Sequence, residues 1–378
     1  MPHKKKVVVA GHVCLDITPK FPLDKNSNLN DILLPGKLVH MQGADIHTGG
    51  VVANTGLALN LFGANVSLNG KIGQDAFGKL VLDLLNDYVD TSYMAVSNDS
   101  NTSYTIVLAA PGVDRIFLHS PGSNNTFTYE DLSLDAIKEA NLFHFGYPPL
   151  MKRMYEHEGE QLIRIFKMVK EIGVVTSLDM AAVDPKSEAG HVDWETILRR
   201  ILPYVDIFVP SIEELCYMID HERYVDWQQR AAGKDIIEIL SISEDVKPLA
   251  DKILGMGAKV LLLKCGALGL YYRAENEDIF NQLSIPDMCI SEWTELEHFE
   301  ESYIPDRLVS ATGAGDTSIA AFLYAMLNGY SLKQSLQLAA AAGASCVTEF
   351  DPLSGLLAIE ELQQKINSGW EKRKICQM

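Results

Sequence analysis

The chain has 378 residues, 47% hydrophobic and 22% charged, an ordinary make-up for a folded protein with a large core. Aspartates and glutamates number 50 against 32 lysines and arginines, and the net charge of −18 excludes nucleic acid and anionic membrane as main partners, since both demand basic surface. A local basic pocket for an anionic small molecule stays compatible with that charge, and the length predicts one large domain joined by a small one.

The start, MPHKKKVVVAGHVCLD, has an apolar run too short for a signal-peptide core, so it predicts a first buried strand over Lys6–Ala10. Further strands are predicted over Asn65–Lys71, Leu142–Phe145, Val174–Leu178, Ile207–Val209 and Lys259–Leu263. Helical patterns lie over Asn54–Phe62, Ala76–Leu85, Glu160–Ile172 and Val246–Met256. Strands alternating with amphipathic helices imply βαβ units around a doubly wound, mostly parallel α/β sheet. Two stretches break the rhythm. Leu15–His47 carries prolines and short alternating segments such as KLVHM, and Ser92–His119 contains TSYTIVLAA and DRIFLHS, a predicted antiparallel hairpin around Pro111-Gly112. Together they predict one small β-sheet lid, giving a core of residues 1–14, 48–91 and 120–378 and a lid of 15–47 and 92–119. Glu275–Glu301, acidic and aromatic, reads as a surface insertion. No stretch approaches a membrane-spanning apolar run. The six cysteines (Cys14, Cys216, Cys265, Cys289, Cys346, Cys376) form no CxxC pair, which predicts reduced thiols in the cytoplasm and no zinc site.

SATGAGDTSIAAFLYAML, Ser310–Leu327, poses the functional question. Apolar positions Ile319, Phe322, Leu323, Met326 and Leu327 predict a helical stripe, so Thr312-Gly313-Ala314-Gly315 becomes the turn feeding a helix N-terminus. Such an end binds anions through free N–H groups, glycines let a phosphate approach, and a carboxylate there can act as a base. An ordinary Asp cap after a glycine turn fits the same residues equally well.

ATGAGDTSIAAF resembles the C-terminal signature of the ribokinase-like (PfkB) carbohydrate kinases. Upstream, HTGGVVANTGLALNLFGANVSLNGKIGQDAFGKLV, His47–Val81, resembles their N-terminal signature, with Gly49-Gly50, Asn54, and the run Gly73, Asp75, Gly78. The resemblance covers nearly the whole chain. It implies transfer of the ATP γ-phosphoryl group to a sugar hydroxyl in the presence of Mg²⁺, with Asp316 as base and the Gly313, Ala314 and Gly315 amides as anion hole. It further implies that Asp16, Gly49, Gly50 and Asn54 bind the sugar, although Asp16 also reads as a loop cap. VPSIEEL, Val209–Leu215, is similar to the family's Asn-x-x-Glu element, with Ser211 standing where Asn is usual and Glu214 organising hydrated Mg²⁺. Lys264 and Gly266 in LLLKCGALGLYYR, and Gly343 and Cys346 in LAAAAGASCVTEF, are the implied nucleotide contacts; an exposed strand-end lysine explains Lys264, and tight helix packing the last two, equally well. Many members carry Asp where this chain has Ser310-Ala311, so activation by K⁺ is not predicted. HFGYPPLM, His144–Met151, follows a central strand and is placed where it could face the sugar, with His144 itself reading as a core residue and Lys152-Arg153 as a solvated helix start. Dimerisation through the lid, as in some relatives, is a further expectation. A nucleoside kinase on the same scaffold and a catalytically silent sugar sensor are the alternatives, the latter weakened by Asp316 because a sensor needs no base.

Overall fold

The computed structural model describes residues 4–21, 34–109, 116–277, 283, 292–294 and 297–374. Its main sheet has eight strands: β1 (Lys6–Gly11), β4 (Asn65–Asn69), β9 (Leu142–Gly146), β10 (Val175–Leu178), β11 (Ile207–Phe208), β12 (Val260–Lys264), β13 (Gly269–Ala274) and β14 (Glu297–Glu301). They lie in the order β14-β13-β12-β11-β10-β9-β1-β4. The six from β12 to β4 are parallel, while β13 and β14 add an antiparallel edge.

β1 shows why the sheet needs helices on both faces. Val7 and Val9 enter one apolar cluster and Val8 and Ala10 the other, all at most 1% exposed. The first cluster packs the helices Val51–Leu61, Ala314–Leu327 and Leu332–Cys346, and the second packs Lys152–Ile172, Trp194–Ile201, Ile212–Ile219 and Lys247–Leu254. The doubly wound expectation therefore holds, because strands apolar on both faces must be covered on both faces. At the amino ends of the strands, Asp206 is fully buried between Lys170 and Lys259, each 2.8 Å away.

A second sheet orders β3 (Ala44–Gly49), β2 (Cys14–Pro19), β7 (Tyr104–Leu108) and β8 (Ile116–Ser120). Both excursions from the α/β rhythm meet here, with β2 and β7 parallel and the outer pairs antiparallel. The Pro111-Gly112 turn lies outside the described residues, and KLVHM forms no strand.

Four expectations need correction. The predicted strand Asn65–Lys71 divides at Gly70, and β5 (Lys71–Gly73) turns away to pair with β6 (Ala95–Ser97). A Cβ at Gly70 would stand 2.8 Å from Val13 and 3.0 Å from Met94, so only glycine fits the bend. The helix predicted from Asn54 begins at Val51. Beyond its half-buried first two residues, the Ala314–Leu327 helix is buried from Asp316 to Leu327 except at Tyr324 rather than along a stripe, because helices and sheet enclose it. Glu275–Glu301 is more than a surface insertion: it ends in edge strand β14, and its Trp293, 1% exposed, packs on Tyr272 and Phe322 in the core. The residues around Trp293 that lie outside the description include Cys289, as does the terminal Cys376; Cys14, Cys216, Cys265 and Cys346 are free and buried. Among the described residues no helix is long and apolar enough to cross a membrane.

Candidate active site

In an open parallel sheet, ligands gather beyond the carboxyl ends of the strands. Here those ends deliver His12 after β1, Tyr147 after β9, Asp179 after β10, Ser211 beyond β11, and Lys264 at the end of β12. Asp316 meets them from the first turn of its helix.

Asp316 is 3% exposed and is held by three donors. Tyr147 OH and Asn54 Nδ2 donate to Oδ2 at 2.7 and 3.0 Å, and Thr55 Oγ1 donates to Oδ1 at 3.2 Å. Burial raises its pKa above the ordinary carboxylate range, while the Tyr147, Asn54 and Thr55 bonds and the Lys264 charge pull the other way. Such a carboxylate is fixed in direction and more basic than an exposed one.

The turn before it is shaped by Gly313, whose φ of 76° lies in the left-handed region that favours glycine. Ala314 N donates to Ala311 O at 3.3 Å, whereas the Gly313 and Gly315 amides have no acceptor among the described residues. The Ser310 hydroxyl accepts from the Thr312 amide at 3.2 Å. Cys346 Sγ donates to Thr312 O at 3.5 Å, and a Cβ on Gly343 would stand 2.5 Å from Ser318 Oγ. These two positions brace the turn and its helix from behind.

Lys264 lies along the same turn: a Cβ on Gly315 would stand 3.5 Å from its Nζ. Its ammonium donates to Asp179 Oδ1 at 2.7 Å. Burial works against the Lys264 charge, yet Asp179, Glu214 and Asp316 together raise its pKa, so it stays cationic. Burial raises Asp179, Lys264 opposes that, and Glu214 adds to it. Asp179 Oδ2 has no hydrogen-bond partner among the described residues. Ser211 and Glu214 cap their helix reciprocally, with Ser211 N donating to Glu214 Oε2 at 2.9 Å and Glu214 N to Ser211 Oγ at 3.4 Å. Gly266 stands exposed in the turn after β12 with a φ of 52°.

The other predicted residues approach from the small sheet. Asp16, on β2, is half-buried, and its pKa is raised by burial against bonds from Cys14 and Thr105. A Cβ on Gly49 would fall 2.2 Å from its Oδ2, and one on Gly50 would fall 2.5 Å from His12 Nδ1. The double glycine thus makes room for the Asp16 and His12 side chains.

Asp316, Asn54, Lys264 and the glycine turn therefore come together, with Glu214 close enough to act on Lys264. Tyr147, Thr55 and Asp179 were not among the residues singled out. Their signal was position: Tyr147 and Asp179 directly follow central strands, and Thr55 adjoins Asn54. His144 is a core residue, its Nδ1 3.0 Å from Ser177 Oγ, and Lys152 pairs with Glu188 at the surface.

The chain is 23% identical over 301 residues to an uncharacterised sugar kinase of Archaeoglobus fulgidus, covering 79% of this chain and 98% of that one. It is 27% identical over 284 residues to a ribokinase of Arabidopsis thaliana, covering 74% of this chain and 61% of the relative. Its fold matches the structure of Arabidopsis thaliana ribokinase complexed with ribose and ATP at a TM-score of 0.71 and 21% identity, over 96% of this chain and 98% of the other. The family model for pfkB family carbohydrate kinases matches residues 4–357, and the chain therefore belongs to that family, phosphotransferases whose acceptor is an alcohol group.

Proposed function

We propose that the protein is an ATP-dependent sugar kinase with Asp316 as its general base. The observation that carries this reading is the juxtaposition of a buried, triply hydrogen-bonded carboxylate with two free glycine amides and a cationic Lys264. Asp316 takes the proton of the acceptor hydroxyl as that oxygen forms its bond to the γ-phosphorus. The bond from phosphorus to the β–γ bridging oxygen breaks, and ADP leaves. The Gly313 and Gly315 amides and Lys264 balance charge on the group in flight, with the Ala314 amide secondary because it already has an acceptor. Positioning and charge neutralisation dominate, since the transition state is loose.

Asp16, Gly49, Gly50 and Asn54 hold the acceptor, and Ser211, Lys264 and Gly266 flank the nucleotide. Gly343 and Cys346 serve that side from behind, by supporting the turn. No group of three or more His, Cys, Asp or Glu side chains that could hold a metal is present among the described residues. That fits Mg²⁺ arriving on the nucleotide phosphates, with Glu214 reaching it through water; when bound, the cation neutralises phosphate charge. The small sheet of β2, β3, β7 and β8 acts as a lid that excludes water.

The test is an ADP-release screen over pentoses, hexoses, keto-deoxy acids and nucleosides, with Asp316→Asn as control. ADP release with uncharged sugars, abolished in the control, is expected. Release confined to nucleosides would move the protein to the alternative acceptor class. Tight sugar binding with no ADP would make it a sensor.

A pH effect follows from Tyr147. Its bond lowers the pKa of Asp316, so Tyr147→Phe raises that pKa further and shrinks the ionised fraction as pH falls. The acid limb of kcat/KM should move to higher pH, with a loss of about tenfold at its acid end and little change in alkali. An unmoved acid limb would show that Asp316 is not the group titrating. For the lid, Ile46 and Leu118 are 40% and 50% exposed on one face of the small sheet. A dimer closed through them is expected in light scattering, and a monomer at micromolar concentration would reject it.

A further inference from the structure

Four registered residues cross the small sheet in one row: His47 on β3 faces Asp16 on β2, Asp16 faces Thr105 on β7, and Thr105 faces His119 on β8. The row ends beside His12, whose ring centroid lies 5.3 Å from that of His119 and 6.0 Å from that of Tyr147. His12 is 2% exposed, and neither ring nitrogen has a hydrogen-bond partner among the described residues. A buried polar group left unpaired destabilises the fold, so its retention points to a partner that comes from outside the chain. Nδ1 lies against Gly50, which leaves Nε2 for that partner. His119 is exposed, and its Nδ1 is already engaged 3.1 Å from Thr105 Oγ1, which leaves its Nε2 as well.

We infer that His12 and His119 determine acceptor specificity, their two Nε2 atoms gripping one hydroxyl of an uncharged polyhydroxy sugar. A hydroxyl donates to one nitrogen and accepts from the other, so one oxygen satisfies both rings. This rests on the kinase reading above and names the substrate class of that site. Neutrality follows from the company the histidines keep. Asp16 and Asp316 supply the charge on the acceptor side, and Lys264, the cation that acts on Asp316, is committed to Asp179 and the glycine turn. Burial, with His119 adding to it, pushes His12 down to about 3, so it offers no positive charge to a phosphate or carboxylate at neutral pH. Uncharged imidazoles suit hydroxyls, which donate and accept at once.

The test uses D-ribose, D-fructose and D-glucose beside a sugar phosphate and a keto-deoxy acid. In the parent, an uncharged sugar should be the best acceptor and should move the imidazole NMR signals of both histidines without nucleotide present. His119→Ala, at an exposed position, should raise the acceptor KM about fivefold, with the ATP KM unmoved and kcat little changed. His12→Leu should do the same, and His12→Gln, which keeps a side-chain donor and acceptor, should recover most of the loss. Melting temperatures verify that each variant folds. An unchanged acceptor KM in folded His119→Ala and His12→Leu overturns the inference, as does a response to charged acceptors alone or to none. ADP formation with silent histidines defeats only this inference; moving histidine signals with no ADP defeat the kinase reading and leave the grip intact.

Discussion

Asp316→Asn is expected to lower turnover by about 10²–10⁴-fold while acceptor and nucleotide affinities stay within a few-fold of the parent. Asn fills the same volume and still accepts from Tyr147 or Thr55, so the geometry persists, but it cannot take a proton. The first turn of the helix keeps its Gly313 and Gly315 amides, so the nucleotide still has its anion site. The loss must therefore appear in kcat. A variant that bound poorly but turned over normally would assign Asp316 to binding alone, and the acid limb moved by Tyr147→Phe would then have to come from another group.

Lys264→Met is expected to destabilise the fold by about 3–5 kcal/mol and to reduce turnover as well. Asp179 is 1% exposed, and its cationic partner among the described residues is Lys264, so truncation leaves a buried carboxyl group without a counter-ion beside Glu214 and Asp316. The double variant Lys264→Met with Asp179→Asn removes the stranded charge. It should regain most of the melting temperature but not the turnover, because the cation along Gly315 remains missing. Recovery of both would make Lys264 purely structural. A single variant that melts like the parent would show that Asp179 takes up a proton at no cost.

The legible parts were those written within a few consecutive residues. The glycine turn, Asp316, Asn54 and the double glycine each announce themselves locally, and the apolar runs of β1, β9 and β12 mark strands covered on both faces. What escaped depends on pairing between distant segments. Tyr147 reaches Asp316 across 169 positions, and its own φ of 65° is a left-handed conformation that no local pattern foretells for a tyrosine. The row from His47 to His119 exists only because β2 and β7 pair in parallel with a particular register. His12 looked like the residue after a strand; its two unpartnered nitrogens became visible once Gly50, His119 and Tyr147 closed around it. The acidic stretch before Ser302 concealed a strand and a core tryptophan, since its charges outweigh the few buried positions in any running average.

The most direct measurement is a crystal structure of the protein with the uncharged sugar found in the screen and a non-hydrolysable ATP analogue. One sugar hydroxyl is expected within hydrogen-bonding distance of the Asp316 carboxylate, about 2.6–3.2 Å, with the terminal phosphate on the Gly313 and Gly315 amides in line with it. A sugar bound with every hydroxyl turned away from Asp316, or a terminal phosphate seated elsewhere, would contradict this expectation.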